Sequence, residues 1–236
     1  MRMFSRSVLM AAAVLGFGSV AASAQQLHSS DFQWYVGGSG GFLSYATPTQ
    51  ARKSDPLVGF NMLVTARRTG LLLSVEQAFT DDAASGYAYS VVDTSGAAVG
   101  SATATVTFDF IRKYSAMLMA FPVRGPIAPY LGVGGGIIHT GGHKTTSGST
   151  VDQLTTEIGS SAFASAMAGV EIRLSRFSVF GQYQITTAPS NQLEAINNGN
   201  GQVVYSGKLL RGPTHTFSAG LRVSLGSARE GIDGDR

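Results

Sequence analysis

Apolar and polar residues alternate strictly along residues 216–225: Phe217, Ala219, Leu221, Val223 and Leu225 on one side, Thr216, Ser218, Gly220, Arg222 and Ser224 on the other. In an extended chain successive side chains point to opposite faces, so this segment predicts a strand with one oily and one wet face. The pattern recurs upstream at residues 33–45, 57–66, 71–80, 103–121, 127–138, 162–174 and 177–186. Val58, Phe60, Met62 and Val64 oppose Asn61 and Thr65; Leu71, Leu73 and Val75 oppose Ser74 and Glu76. In residues 103–121, Val106, Phe108, Phe110, Tyr114, Ala116 and Leu118 form the oily set against Thr105, Thr107, Asp109, Lys113 and Ser115. Arg112 falls on the oily side, so either it snorkels outward above the apolar zone or a bulge resets the register.

Eight strands are expected, and their connections alternate. Residues 46–55, 81–102, 140–160 and 187–214 are long; the turns at 67–70, 124–126 and 175–176 are short. Prolines fall in connections or near strand ends, where a missing ladder donor does least harm. No helical pattern offers cover for the oily faces. A closed antiparallel up-and-down barrel with its apolar face toward lipid satisfies every backbone group and hides that face. Alternation alone does not say which face is inside, and a soluble lipocalin-like carrier would turn the apolar face inward.

Compartment and charge narrow this picture. Residues 1–24 carry Arg2 and Arg6, then the apolar run 8–17, then Ala22-Ser23-Ala24. That is the form of a cleaved secretory signal, which leaves residues 25–226 for the barrel and 227–236 as a polar tail. There is no cysteine, so neither disulfides nor a thioether-linked lipid can contribute. Without Arg2 and Arg6 the 17 basic residues come close to the 14 acidic ones, which leaves no electrostatic footprint for nucleic acid.

Trp34-Tyr35-Val36-Gly37, Pro129-Tyr130-Leu131-Gly132-Val133-Gly134 and the last strand together resemble the OmpA-type outer-membrane β-barrel family. The resemblance implies an eight-stranded transmembrane barrel in the outer membrane. It also implies that Ser218, Gly220, Val223 and Leu225 act as the signal read by the barrel-insertion machinery. Leu225 stands where an aromatic is usual, and the tail is too short to be a peptidoglycan-binding domain. The expected partners are outer-membrane lipids, the insertion machinery and a surface ligand of the external loops.

Candidate chemistry lies on the wet faces. Glu76, Asp109, Lys113, Glu171, Arg173 and Arg222 are expected in the lumen, where opposite charges on different strands could pair and plug it. The resemblance implies internal networks of this kind, with a narrow gated pore as the alternative to a static plug. His139 and His143 have the separation of helical metal sites, but they sit at a strand end without a neighbouring Glu, so no metal or cofactor is expected. Enzymes that modify lipid A need a nucleophile and base together, whereas His215 and Ser218 point to opposite faces of one strand. A non-catalytic role is the expectation.

Overall fold

The computed structural model describes residues 32–66, 68–92, 98–123, 125–145, 159–188, 192–197, 202–207 and 209–226. The proposed signal segment and the polar tail lie outside the described residues. The strands are β1 (Phe32–Tyr45), β2 (Lys53–Ala66), β3 (Thr69–Val92), β4 (Ala98–Ala120), β5 (Ile127–Gly141), β6 (Lys144–Thr145), β7 (Ser160–Leu174), β8 (Phe177–Thr186), β9 (Gln192–Asn197), β10 (Gln202–Gly207) and β11 (His215–Gly226).

Eight of these strands close on themselves, in the ring order β1-β2-β3-β4-β5-β7-β8-β11 and back to β1, with every pairing antiparallel. The short connections gather at one end. There Ser175 takes a φ of 57°, the left-handed value that lets two residues turn β7 directly into β8. Closing so small a ring also forces strands together. A Cβ on Gly136 would lie 1.9 Å from the carbonyl of Tyr114, and one on Gly41 would lie 1.9 Å from that of Phe217. Gly37, Gly41, Gly134 and Gly136 are therefore places where a neighbouring backbone approaches too closely for a side chain.

The other end departs from expectation. A tilted spanning strand needs about 9–11 residues, yet β3 has 24 and β4 has 23. Residues 81–92 and 98–102, expected in a connection, instead carry both strands past the mouth of the ring. The connection 187–214 likewise contains a hairpin: β10 pairs with β3 over Ala88–Val92, and β9 pairs with β10. With β6 against Val106 and Thr107, the order β9-β10-β3-β4-β6 makes a five-stranded ribbon rooted in the barrel wall. Ala, Ser and Gly carry little strand preference of their own, and long antiparallel pairing overrides them.

A bulge marks where barrel becomes ribbon. Phe79 faces Phe110 and Ala83 faces Phe108, so three residues of β3 oppose the single Asp109. Side-chain parity flips on both strands. Val106 and Phe108, assigned above to the outer wall, are fully buried, and Thr105 and Asp109 are exposed. Arg112 lies just below the bulge, on the outer wall beside Tyr114. Arg112 therefore keeps the outward parity of Tyr114, and the register resets three residues before it, at Asp109, rather than at Arg112 itself.

The wall is oily outside and mixed inside. Leu118, Val133, Phe217, Leu221 and Leu225 are all more than half exposed and face outward. Trp34 and Phe177 also face outward near strand ends, as does Phe79 beside the bulge in the middle of β3, whereas Tyr45 turns in and donates to Asp55 Oδ2 at 2.6 Å. Inside, one apolar layer at the short-turn end includes Tyr35, Leu63, Leu72, Met117, Phe121 and Tyr130. A second, at the long-loop end, includes Leu43, Leu57, Phe108, Ile111, Phe163 and Leu210.

Candidate functional site

The interior polar side chains follow from the period-two pattern: each inward position of a barrel strand must be filled, and the polar ones must find partners. Glu76 and Lys113 are register neighbours on β3 and β4. Lys113 Nζ lies 2.8 Å from Glu76 Oε2, a buried ion pair. The same ammonium donates to Gln184 Oε1 on β8 at 3.0 Å and to Thr216 Oγ1 on β11 at 2.7 Å. In the ring β11 stands diametrically opposite β4, so this one side chain ties two far walls together.

A second group lies nearer the short turns. Arg222 is fully buried, with Nη1 3.8 Å from Glu171 Oε2, and its Nε donates to Asn61 Oδ1 at 2.8 Å. Its guanidinium carbon sits 3.8 Å from the centroid of the Phe180 ring. Arg173 Nη2 is also 3.8 Å from Glu171 Oε2 and lies over Phe121. Glu171 is thus flanked by two cations, although neither of its oxygens has a hydrogen-bond partner among the described residues.

Five of the six expected lumen charges are brought into these two groups. Asp109 is not: the bulge turns it outward, where Lys144 Nζ stands 3.6 Å away. The pairing is also more local than expected. Glu171 and Arg173 share β7, Glu76 and Lys113 lie on neighbouring strands, and Arg222 stands two strands from Glu171; the long crossings run from Lys113 to the neutral Gln184 and Thr216. Gln184, Thr216 and Asn61 are the residues that sequence reasoning passed over. All three occupy polar-face positions of the period-two pattern, so that signal was present.

On β11, Ser218 and Gly220 face inward, and Val223 and Leu225 face outward. A Cβ on Gly220 would lie 2.2 Å from the carbonyl of Gly38 and 2.8 Å from the Phe180 ring, so glycine is required there by packing alone. His139 Nδ1 and Ser160 Oγ are 2.7 Å apart, and His143 Nε2 and Thr140 Oγ1 are 3.0 Å apart. Among the described residues no three His, Cys, Asp or Glu side chains come together as metal ligands would. His215 lies on the outer wall, its Nδ1 2.6 Å from Tyr183 Oη, whereas Ser218 is buried inside.

The chain is similar in fold to several solved outer-membrane barrels. Against Neisserial surface protein A (NspA) it has 11% identity and a TM-score of 0.49, covering 80% of this chain and 96% of that one. Against OprG from Pseudomonas aeruginosa the values are 12% and 0.48, covering 84% and 98%. Against Ail of Yersinia pestis, solved with the heparin analogue sucrose octasulfate, they are 12% and 0.36, covering 83% and 99%. No protein-family model and no curated protein matches the chain. The architecture is that of an eight-stranded antiparallel β-barrel with an apolar outer wall, the form of a small transmembrane barrel.

Proposed function

We propose that this barrel is sealed, and that it serves the outer membrane structurally or by surface interaction through the β-ribbon at its long-loop end. The observation that carries the reading is the filling of the lumen. Two apolar layers lie at its two ends, and Lys113 is tied across it to Gln184 and Thr216. An eight-stranded ring is just wide enough for its own side chains to fill it. No catalytic role is assigned, because His215 and Ser218 stand on opposite faces of β11. A soluble carrier would show polar residues outside and apolar ones inside; here large apolar side chains such as Leu118, at 67% exposure, cover the outer wall.

A narrow gated pore is the second reading, and the looseness of the Glu171–Arg222 contact favours it. An ion pair at 3.8 Å without a direct hydrogen bond is easier to exchange than a tight one. Single-channel recording of refolded protein separates the two. The sealed barrel predicts no conductance steps from wild type or from Arg222→Ala, because the apolar layers remain. Steps that appear on Arg222→Ala would replace the sealed reading with the pore. Membrane residence is read from cell fractionation and from the change in gel mobility between cold and boiled samples. Recovery in the soluble periplasmic fraction would remove both barrel readings.

A further inference from the structure

The outer wall is indented between β2 and β5 by a groove of about 510 Å³. The small residues Ala116 and Gly135 sit side by side in its lining, together with the larger Phe60, Leu73, Tyr114 and Ile137. Its lining is almost wholly apolar, and its volume lies within the roughly 300–1,000 Å³ of ligand-sized pockets.

Polar groups stand directly beyond its long-loop end. One step along the outer face from Val75, Tyr114 and Ile137 come Gln77, Arg112 and His139, which are register neighbours across β3, β4 and β5. Arg112 donates from Nε and Nη2 to Gln77 Oε1 at 3.0 and 2.6 Å, and from Nη1 to Tyr114 Oη at 3.4 Å. The Phe110 ring centroid lies 5.1 Å from its guanidinium carbon. All of these partners are neutral, and among the described residues Arg112 forms no salt bridge. A guanidinium has five N–H donors in a planar fork, so these bonds hold its orientation and leave donors and a full charge unspent.

A fixed arginine on a lipid-facing wall, without a salt bridge among the described residues, offers its charge to a partner from the surroundings, since an ionised side chain at membrane depth is costly unless paired. The fork matches a phosphate, and the groove beneath it matches a hydrocarbon chain. The geometry points to a binding site for one phosphorylated lipid of the outer leaflet, its phosphate on Arg112 and an acyl chain in the groove. This site rests on the outer-membrane reading above.

The test uses the full-length mature chain refolded in detergent, with lipid A and dephosphorylated lipid A as probes. Native mass spectrometry counts the lipid retained. Wild type should retain phosphorylated lipid A in preference to the dephosphorylated form. Arg112→Gln should lose that preference by roughly tenfold or more, as for loss of a charge-assisted hydrogen-bonded contact. Ala116→Phe, which fills the groove, should weaken retention of both lipids alike. Equal retention of the two lipids by wild type, an unchanged preference in Arg112→Gln, or unaltered retention in Ala116→Phe each overturns the site. A dimer cross-linked through the groove would overturn the choice of occupant. Each protein is first checked for its cold-to-boiled mobility change. A wild type lacking that change would undo the membrane reading itself, a failure distinct from the loss of lipid selectivity alone.

Discussion

Lys113→Met tests whether the interior ion pair holds the barrel together. The Lys113 and Glu76 side chains are 1% and 3% exposed. Removing the cation leaves a carboxylate in the lumen without its counter-charge, and it takes the shared donor from Gln184 and Thr216. Breaking one side of a buried pair costs about 3–5 kcal/mol. With a urea dependence of roughly 2 kcal/mol per molar, the unfolding midpoint should fall by about 2 M. Removing both charges in Glu76→Met/Lys113→Met should bring stability back to within about 1 kcal/mol of wild type, because two apolar side chains of similar volume carry no desolvation cost. The assay is urea unfolding of refolded protein, with the fraction folded read from cold gel mobility. The double-mutant cycle should give a coupling of at least about 2 kcal/mol. A single variant as stable as wild type, or a double variant no better than the single, would refute the reasoning.

Three further outcomes follow from the same structure. Gly136→Ala should abolish the folded cold band, since its Cβ would sit 1.9 Å from the carbonyl of Tyr114, whereas Gly181→Ala, with nothing within 4 Å, should leave it unchanged. Leu221→Arg, on the outer face of β11 and 59% exposed, should cost about 2–4 kcal/mol in lipid vesicles; Thr105→Arg, exposed beyond the bulge, should change stability by less than about 0.5 kcal/mol. His143, in the connection after β5, has its pKa lowered from 6.5, first by burial and then by the nearby His139. The neutral form is thus favoured in the folded chain, so its contribution is present above pH 6.5 and is lost as pH falls toward the lowered value. Its NMR titration midpoint should lie below that of a free histidine; a midpoint above would contradict this.

The eight-stranded ring was legible because its strands differ so strongly from face to face. β11 alternates without a break, and three tight turns fix which ends meet. The ribbon was not legible. Residues 81–102 are mostly small or weakly polar, so no face announces itself, and the strand character of 81–92 and 98–102 comes from long pairing between β3 and β4. The bulge hid the rest. Beyond Asp109 the parity of β4 reverses, so a reading that carried one register through placed Val106 and Phe108 outside and Asp109 inside. Arg112, the residue out of pattern, was the one visible sign of that reset. The lumen charges of β3, β7 and β11 were readable from periodicity. Their partners were not, because ring order and tilt decide that Lys113 meets Thr216 and Arg222 meets Asn61.

The central claim is that the oily face looks outward and the lumen is filled. The native chain has no cysteine, so single cysteines can be placed along β11 and spin-labelled one at a time in lipid vesicles. Thr216→Cys, Phe217→Cys, Ser218→Cys, Ala219→Cys, Leu221→Cys and Val223→Cys would be compared for collision with oxygen, which partitions into lipid, and with a water-soluble nickel chelate. The account predicts high oxygen collision at 217, 219, 221 and 223, and little collision with either reagent at 216 and 218. Strong chelate collision at 216 and 218, with 219 and 221 shielded from oxygen, would turn the wall inside out and contradict it.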